Sequence, residues 1–235
     1  MSTQDATADE PTGRGGRPAR LVVVAGTGTE VGKTWVSARV LRVLRDAGVT
    51  VSSRKPAQSF EPTDRETDAH LLAAATGEDP AQVCPPHRWY EVPMAPPMAA
   101  AVLGRPGFTI ADLVAEITWD APPPRLGIVE TAGGVRSPLA DDGDSVSLIE
   151  ALVPDLVVVV ADAGLGTINS VRLTMEALEG AGLPATLIVH LNRFDERNEL
   201  HRHNRRWLRE RDGFEVVTTI DELAGRLGRP DGLWR

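Results

Sequence analysis

Short apolar runs recur along the chain, and their length is typical of strands buried in a parallel sheet. The most continuous of them, LVVVVA at residues 156–161, contains no polar side chain. Six strands are predicted in this way: Leu21–Ala25, Val49–Ser53, Leu126–Glu130, Leu156–Ala161, Ala185–Leu191 and Phe214–Val217.

The segments between these runs carry apolar residues at helical spacing. In Lys33–Ala47 they fall at positions 36, 40, 43, 44 and 47, and Gly48 follows where a glycine commonly ends a helix. A proline-rich segment at 84–98 is predicted to be irregular. The remaining predicted helices are Asp68–Thr76, stretches near 97–103 and 109–118, Thr167–Gly180 and Glu196–Arg211.

The alternation of strands and helices predicts an α/β fold with a mainly parallel sheet and helices on both faces. In such sheets, ligands bind at the carboxyl ends of the strands, so the chemistry is expected there. Residues 1–19 are polar and rich in glycine and proline, and we expect a disordered tail. Residues 20–235 are then one domain.

Composition narrows the classes of partner. The 235 residues carry a formal net charge of −8, which does not favour binding to a nucleic-acid backbone. The apolar runs are too short to cross a bilayer, so no membrane partner is expected. The lone cysteine, Cys84, excludes an intramolecular disulfide and fits a cytoplasmic location.

Residues 26–34, GTGTEVGKT, join the first strand to the first helix and have the composition of a phosphate-binding loop. Glycines allow tight turns, and the backbone N–H groups at a helix N-terminus attract anions. Lys33 would reach the β- and γ-phosphates, and the Thr34 hydroxyl would ligate Mg²⁺. The glycine spacing departs from the common P-loop, because Thr27 stands five positions before Gly32. The dinucleotide-binding pattern fails, since Val31 replaces its third glycine.

Three charged residues lie at the boundaries of predicted elements, and each has two interpretations. Glu130 ends a strand and is either a surface acid or a group that binds Mg²⁺ or orients water. Lys55 ends the second strand and is either an exposed lysine or a cation that binds a transferring phosphoryl group or a carboxylate. Asp68 stands at the start of a helix and is either the N-cap of that helix or a metal ligand.

The segment GLGTIN at 164–169 lies between the fourth strand and a helix. It is either an ordinary connection or a second anion site formed by exposed N–H groups. The acidic residues Asp141, Asp142 and Asp144 are expected in a solvated loop.

Several of these motifs occur in one order that resembles the ATP-dependent dethiobiotin synthetase family, across about residues 21–192. They are GTGTEVGKT (26–34), KPAQS (55–59), TDA (67–69), VETAGG (129–134), SPL (137–139) and GLGTIN (164–169). The unusual glycine spacing of the phosphate loop is a trait of that family. The resemblance implies a P-loop NTPase-like, three-layer single domain.

The resemblance also implies a reaction. The family closes a ureido ring on 7,8-diaminopelargonate with CO₂ and ATP, in biotin biosynthesis. An amine adds CO₂ to give a carbamate, the carbamate attacks the γ-phosphoryl group, and the second amine closes the ring. Such chemistry depends on positioning and charge stabilisation rather than on a protein nucleophile.

Carried over residue by residue, the resemblance assigns roles around ATP and Mg²⁺. Catalysis would fall to Lys33, Lys55 and Thr29, and Mg²⁺ would be held by Thr34, Asp68 and Glu130. The nucleotide would contact Gly28, Thr29, Glu30, Val31, Gly32, Lys33, Thr34 and Asn192. The substrate would contact Lys55, Ser59, Gly133, Gly164, Gly166, Thr167 and Asn169, the last four across a homodimer interface.

Three positions depart from the family pattern. Phe60 and Thr131 each stand where a glycine is common, which affects the room for a ligand. Arg193 follows Asn192 in place of an acid, which affects base recognition. Two other classes stay open: a ParA/MinD-like ATPase switch, against which the lack of a lysine between residues 21 and 32 counts, and a degenerate homologue that binds nucleotide without turnover.

Overall fold

The computed structural model describes residues 16–182 and 185–228. A six-stranded sheet, with every pair of neighbours parallel, forms the centre in the order β10-β9-β8-β1-β5-β2. Its strands are β1 (Arg20–Gly26), β2 (Val51–Arg54), β5 (Leu126–Glu130), β8 (Leu156–Asp162), β9 (Thr186–Asn192) and β10 (Val216–Val217). Two small sheets pair β3 (Gln58–Ser59) with β4 (Trp89–Tyr90), and β6 (Pro138–Ala140) with β7 (Gly143–Asp144).

Nine α-helices occur within the described residues. They are α1 (Lys33–Asp46), α2 (Asp68–Thr76), α3 (Pro80–Val83), α4 (Pro96–Val102), α5 (Ile110–Glu116), α6 (Ser145–Leu152), α7 (Thr167–Glu179), α8 (Glu199–Glu210) and α9 (Ile220–Leu227). A short 3₁₀ turn, Pro86–Arg88, precedes β4. No helix of the described residues is long and apolar enough to span a membrane.

Two hydrophobic clusters, one on each face of the sheet, make three layers. Alternate residues of β1 point to opposite faces, so Val22 and Val24 join one cluster while Leu21 and Val23 join the other. The first cluster includes residues of α1, α2 and α9, and the second includes residues of α5, α6, α7 and α8. The predicted α/β fold, with a parallel sheet between helical layers, is confirmed.

β1 lies between β5 and β8, and this placement positions the site. The strands are parallel, so the segments after Gly26, Glu130 and Asp162 all leave the same edge of the sheet. Lys55 follows β2 at that edge, and Asn192 ends β9 there.

The predicted elements agree with the observed ones to within about three residues at each end. Sequence analysis missed the helices α3, α6 and α9 and the short strands β3, β4, β6 and β7. The expectation that Asp141, Asp142 and Asp144 form a solvated loop holds for Asp141 and Asp142, which are exposed in a turn, but not for Asp144, which is half-buried in β7. All three carboxylates also accept backbone N–H bonds. Asp141 accepts from Phe108, Asp142 from Ile110, and Asp144 caps the first turn of α6. The segment 84–98 is also less irregular than expected, because β4 and the start of α4 lie within it.

Of the predicted tail, residues 1–19, the first fifteen lie outside the described residues. Beyond that point the chain contacts the domain. Arg17 donates to the carbonyl oxygens of Leu152 and Val153, and the Ala19 amide donates to Pro124.

Candidate functional site

The loop between β1 and α1 has a conformation set by two residues with positive φ. Gly32, with φ 93°, is the N-cap of α1, and Glu30 has φ 60°. A Cβ atom on Gly32 would collide with the side-chain amide of Asn192, whose Nδ2 donates to the Val31 carbonyl oxygen at 2.9 Å. Glycine is therefore required at position 32, both for its backbone and for the close approach of Asn192.

Lys33 lies at the first turn of α1 with its side chain folded back over the loop. Its Nζ donates to the carbonyl oxygens of Gly28 at 2.9 Å and Gly133 at 2.8 Å. Burial, together with the nearby charge of Lys55, lowers the pKa of Lys33 to about 8. The ammonium thus sits where an anion would gain a strong partner.

Four further side chains converge beside Lys33. The Lys55 ammonium lies 2.7 Å from Asp68 Oδ2 and 2.8 Å from Glu130 Oε1. The Thr34 hydroxyl lies 2.8 Å from Asp68 Oδ1 and 2.7 Å from Glu130 Oε1. Two cations and two carboxylates therefore balance in charge at one edge of the sheet.

Opposing effects act on the charges of this cluster. Burial by itself lowers the pKa of Lys55, but the attraction of Asp68 and Glu130 outweighs it and raises that pKa above its ordinary value. Burial raises the pKa of Asp68, but Lys55 outweighs this effect and leaves the pKa lowered. Both side chains therefore stay ionised at neutral pH.

The hydrogen-bond capacity of the cluster is not fully matched. Lys55 has three N–H donors, which Asp68, Glu130 and the Thr131 carbonyl oxygen accept. Thr34 has one hydroxyl proton for two carboxylates, so one carboxylate at a time lacks it. Glu130 Oε2 is buried and has no hydrogen-bond partner among the described residues.

This unmatched oxygen suits a hard cation. Thr34, Asp68 and Glu130 present hydroxyl and carboxylate oxygens, the donors that Mg²⁺ prefers while it keeps several waters and nucleotide phosphates. In the described part of the chain no three His, Cys, Asp or Glu side chains cluster for a metal. The set therefore fits a Mg²⁺ ion that arrives with a nucleotide better than a site made of protein ligands alone.

A cleft of about 520 Å³ opens in front of the cluster. It brings together most of the predicted phosphate, metal and substrate residues, although Glu130 lies behind its wall. Those lining it are Thr29, Glu30, Gly32, Lys33, Thr34, Lys55, Ser59, Asp68 and Gly133. Ser59 donates to the Met94 carbonyl oxygen at 2.6 Å.

The interpretation of Asp68 as the N-cap of its helix is wrong. The N-cap of α2 is Thr67, and Asp68 is the first helical residue. Its carboxylate is free of capping and turns toward Thr34 and Lys55.

The segment 164–169 does not line this cleft within the described chain. Gly166, with φ 92°, is the N-cap of α7, and Leu165 beside it is 92% exposed. Asn204 of α8 holds the loop by donating to the carbonyl oxygens of Ala163 and Gly164. Gly164, Gly166, Thr167 and Asn169 therefore lie apart from the other predicted substrate residues.

A second cleft, of about 560 Å³, lies beyond Gly32. Trp35 from the first turn of α1 and Asn192 at the end of β9 line it, together with residues before and at the start of α9. These lining residues are Gly32, Trp35, His190, Asn192, Arg193, Phe194, Thr218, Thr219 and Ile220.

The three residues that depart from the family pattern, Phe60, Thr131 and Arg193, lie in or beside the two clefts. Phe60 lines the first cleft and meets Trp89 edge-on, with ring centroids 6.4 Å apart. The Thr131 side chain is buried, and its hydroxyl lacks a hydrogen-bond partner among the described residues. Arg193 bonds to Asp162 at 2.8 Å and to the Glu30 carbonyl oxygen at 2.9 Å, and so links β8 to the phosphate loop.

Sequence reasoning missed several residues that line the clefts, among them Gln58 and His190. Gln58 of KPAQS accepts from the Ala69 amide and supports the start of α2. His190 gave no signal, because a histidine in an apolar run does not show what it faces. Its Nδ1 is buried with no hydrogen-bond partner in the described ranges, and burial lowers its pKa to about 4.

His190 predicts an acid sensitivity of the fold. The folded-state pKa is about 4 and the reference value is 6.5, so the unfolded chain binds more protons between these pH values. Stability is therefore lost as pH falls, and at pH 4 the loss from this group is about 3 kcal/mol. Denaturant unfolding of the wild type and His190→Val from pH 7 to 4 measures it. The exposed His203→Val is the matched control, and equal slopes for all three proteins would contradict the prediction.

Comparison with known proteins agrees with this arrangement. A family model described as an AAA domain matches residues 20–226. Together with the phosphate loop on a parallel sheet, this match defines a nucleotide-binding α/β protein of the AAA domain family.

Curated relatives make the assignment more specific. ATP-dependent dethiobiotin synthetase BioD of Haloferax mediterranei is 39% identical over 83% of this chain and 81% of its own length. BioD of Anaeromyxobacter dehalogenans is 41% identical over 74% and 77%, and BioD of Rhodococcus jostii is 34% identical over 88% of each. The chain belongs to the ATP-dependent dethiobiotin synthetase family.

A solved structure supports the fold alone. A putative plasmid partition protein of Borrelia burgdorferi, bound to AMPPNP, matches with a TM-score of 0.52 and 13% identity. The match covers 93% of this chain and 92% of that one.

Proposed function

We propose that the protein, with residues 20–235 as its ligase domain, converts 7,8-diaminopelargonate, CO₂ and ATP into dethiobiotin. One observation carries the proposal. Lys33 and Lys55 converge with Asp68 and Glu130 at a cleft, in a chain 39% identical to a named dethiobiotin synthetase. The single cysteine, Cys84, is buried and free, which fits a cytoplasmic ligase.

The reaction requires charge stabilisation at each step. One neutral amine of the substrate adds CO₂, releases a proton and becomes a carbamate. A carbamate oxygen attacks the γ-phosphorus of ATP, and the bond to the bridging oxygen breaks to release ADP. The second amine attacks the carbonyl carbon of the mixed anhydride, phosphate leaves, and the ring closes with loss of a proton.

The two lysines suit the developing negative charge. Lys33 lies at the phosphate loop and Lys55 deeper in the cleft, so they would contact the transferring phosphoryl group from two sides. Thr29 lines the same cleft within the loop and would position the phosphates. No protein nucleophile is needed.

Mg²⁺ would be held by Thr34, Asp68 and Glu130. When bound, the ion neutralises charge on the β- and γ-phosphates. The unpartnered, buried Oε2 of Glu130 and the single proton of Thr34 support this assignment, because a cation would satisfy both carboxylates.

The nucleotide would extend from the first cleft to the second. Residues 28–34 would hold its phosphates at the N-terminus of α1. The Asn192 amide lines the second cleft, and an Asn amide can form paired hydrogen bonds with the N6 and N7 edge of adenine.

The diamine would occupy the first cleft beside Ser59 and Gly133 and meet a second copy of the chain. Gly164, Gly166, Thr167 and Asn169 lie away from this cleft, while the N-terminus of α7 can bind a carboxylate. A homodimer that places one protomer's α7 at its partner's cleft accounts for both facts. The 92% exposure of Leu165 supports an interface at this loop.

A phosphate-release assay with diaminopelargonate, bicarbonate and Mg·ATP tests the function. Release is expected to need the diamine and CO₂, with dethiobiotin formed in equal amount. Release stimulated by DNA or a protein partner, and indifferent to the diamine, would favour an ATPase switch. ATP binding without release under any condition would favour a degenerate homologue. Substituting CTP and GTP gives the nucleotide preference.

Leu165→Glu is expected to separate the protomers, because a charge would be buried at the interface. Sedimentation should show a monomer of the 25.2 kDa chain. Diamine-dependent turnover should fall on the order of 100-fold, while ATP binding persists. Leu200→Glu, at a half-exposed position on α8, is the control and should leave the dimer intact. A dimeric, fully active Leu165→Glu protein would contradict this arrangement.

A further inference from the structure

His190 lines the second cleft but has no role in the reaction described above. It lies on β9, between Val160 of β8 and Val217 of β10. Ile188 and Asn192, two residues away on either side, lie on the same face of the strand. Ile188 joins the hydrophobic cluster that contains α1 and α9, so His190 faces the gap between these helices.

His190 is buried, and one of its ring nitrogens has no partner in the described part of the chain. The side chain is 2% exposed, and its Nδ1 has no hydrogen-bond partner within residues 16–182 and 185–228. An unpaired buried polar group costs stability, so its presence next to an open cleft indicates a partner that is supplied from outside.

The chemistry of the ring limits what that partner is. Because burial lowers the pKa of His190, the ring is neutral at physiological pH and attracts no phosphate. A neutral imidazole carries one N–H donor and one acceptor nitrogen. One of these nitrogens can therefore form a single hydrogen bond with the edge of a nucleotide base, which presents both donors and acceptors.

The position of the cleft also favours a base. Asn192 Nδ2 donates to the Val31 carbonyl oxygen at 2.9 Å, which fixes this part of the cleft against the phosphate loop. Trp35, 51% exposed, gives the cleft an aromatic side chain that suits a planar ring.

We propose that His190 hydrogen-bonds to the base of the bound nucleoside triphosphate and is a specificity-determining residue of this site. The proposal rests on one part of the proposed function, namely that residues 28–34 bind the triphosphate. It adds a base contact from His190, which lines the same cleft as Asn192.

Equilibrium binding of Mg·ATP and Mg·tripolyphosphate to the full chain separates the two contributions. Tripolyphosphate probes the phosphate loop alone, since it has no base. In His190→Val, the affinity for ATP is expected to fall about tenfold, the effect of losing one hydrogen bond, while that for tripolyphosphate stays within twofold. The exposed His203→Val on α8 is the matched control and should bind both as the wild type does.

Two results would overturn the proposal: unchanged ATP affinity in His190→Val, or equal losses for ATP and tripolyphosphate. If His190→Val fails to fold, His190→Gln replaces it, because an amide keeps polarity but presents it differently. His190→Gln is then expected to change the ratio of ATP to GTP affinity at least threefold, and an unchanged ratio would overturn the proposal.

These measurements contain no diamine, so they do not depend on ligase activity. A wild-type protein that binds ATP more tightly than tripolyphosphate but never makes dethiobiotin would refute the proposed reaction. The assignment of His190 would still be decided by its variants.

Discussion

Lys33→Ala is expected to abolish diamine-dependent phosphate release, by a factor on the order of 10³ or more. Its ammonium is placed between the Gly28 and Gly133 carbonyl oxygens, where the phosphates would lie. No other lysine occurs in the phosphate loop to replace it. Single-turnover phosphate release with saturating ATP measures the loss.

The fold of Lys33→Ala should be intact. The lowered pKa of Lys33 shows that burying this charge costs free energy, so its removal relieves a penalty. Thermal unfolding and circular dichroism test this point. Arg42→Ala, which removes an exposed cation from the same helix, is the matched control and should keep full activity. A Lys33→Ala protein with near-normal turnover would refute the phosphate-binding assignment.

Glu130→Gln is expected to lower turnover on the order of 100-fold and to raise the Mg²⁺ concentration needed for half-maximal rate. The substitution keeps the size of the side chain but removes one of the two negative charges that face Lys55 and Thr34. The cluster then carries an excess positive charge, which repels the metal ion. Turnover as a function of Mg²⁺ at fixed ATP measures both effects.

Glu210→Gln provides the control for Glu130→Gln, since it removes an exposed carboxylate at the end of α8. It should leave the Mg²⁺ dependence unchanged. An unaltered Mg²⁺ requirement in Glu130→Gln would instead assign this residue a purely structural role beside Lys55.

The sequence predicted the centre of the site because the rule behind it is geometric. Lys55 follows β2 and Glu130 ends the apolar strand β5, and parallel strands bring such ends to one edge. The bounds of α2 and β5 were predicted correctly for a local reason, since Gly77 follows the helix and Glu130 ends the apolar run of the strand. The metal, substrate and nucleotide roles of these residues stay predictions until they are measured.

Other parts were not predicted, for two physical reasons. Local signals were overlooked: Thr219 and Glu222 form a capping box at α9, and Asp144 caps α6. His190 is a different case, because its burial and its missing partner depend on helices distant in sequence. Single-sequence patterns cannot show which side chains those helices bring to a strand.

Lys55 has a consequence for how this protein is assembled in the cell. Its ammonium already bridges the two carboxylates that would otherwise repel each other inside the domain. The cluster thus contains its own counter-ion, and we expect the domain to fold without a divalent metal. Chelators are then expected to stop turnover without denaturing the protein, because magnesium would bind together with the nucleotide.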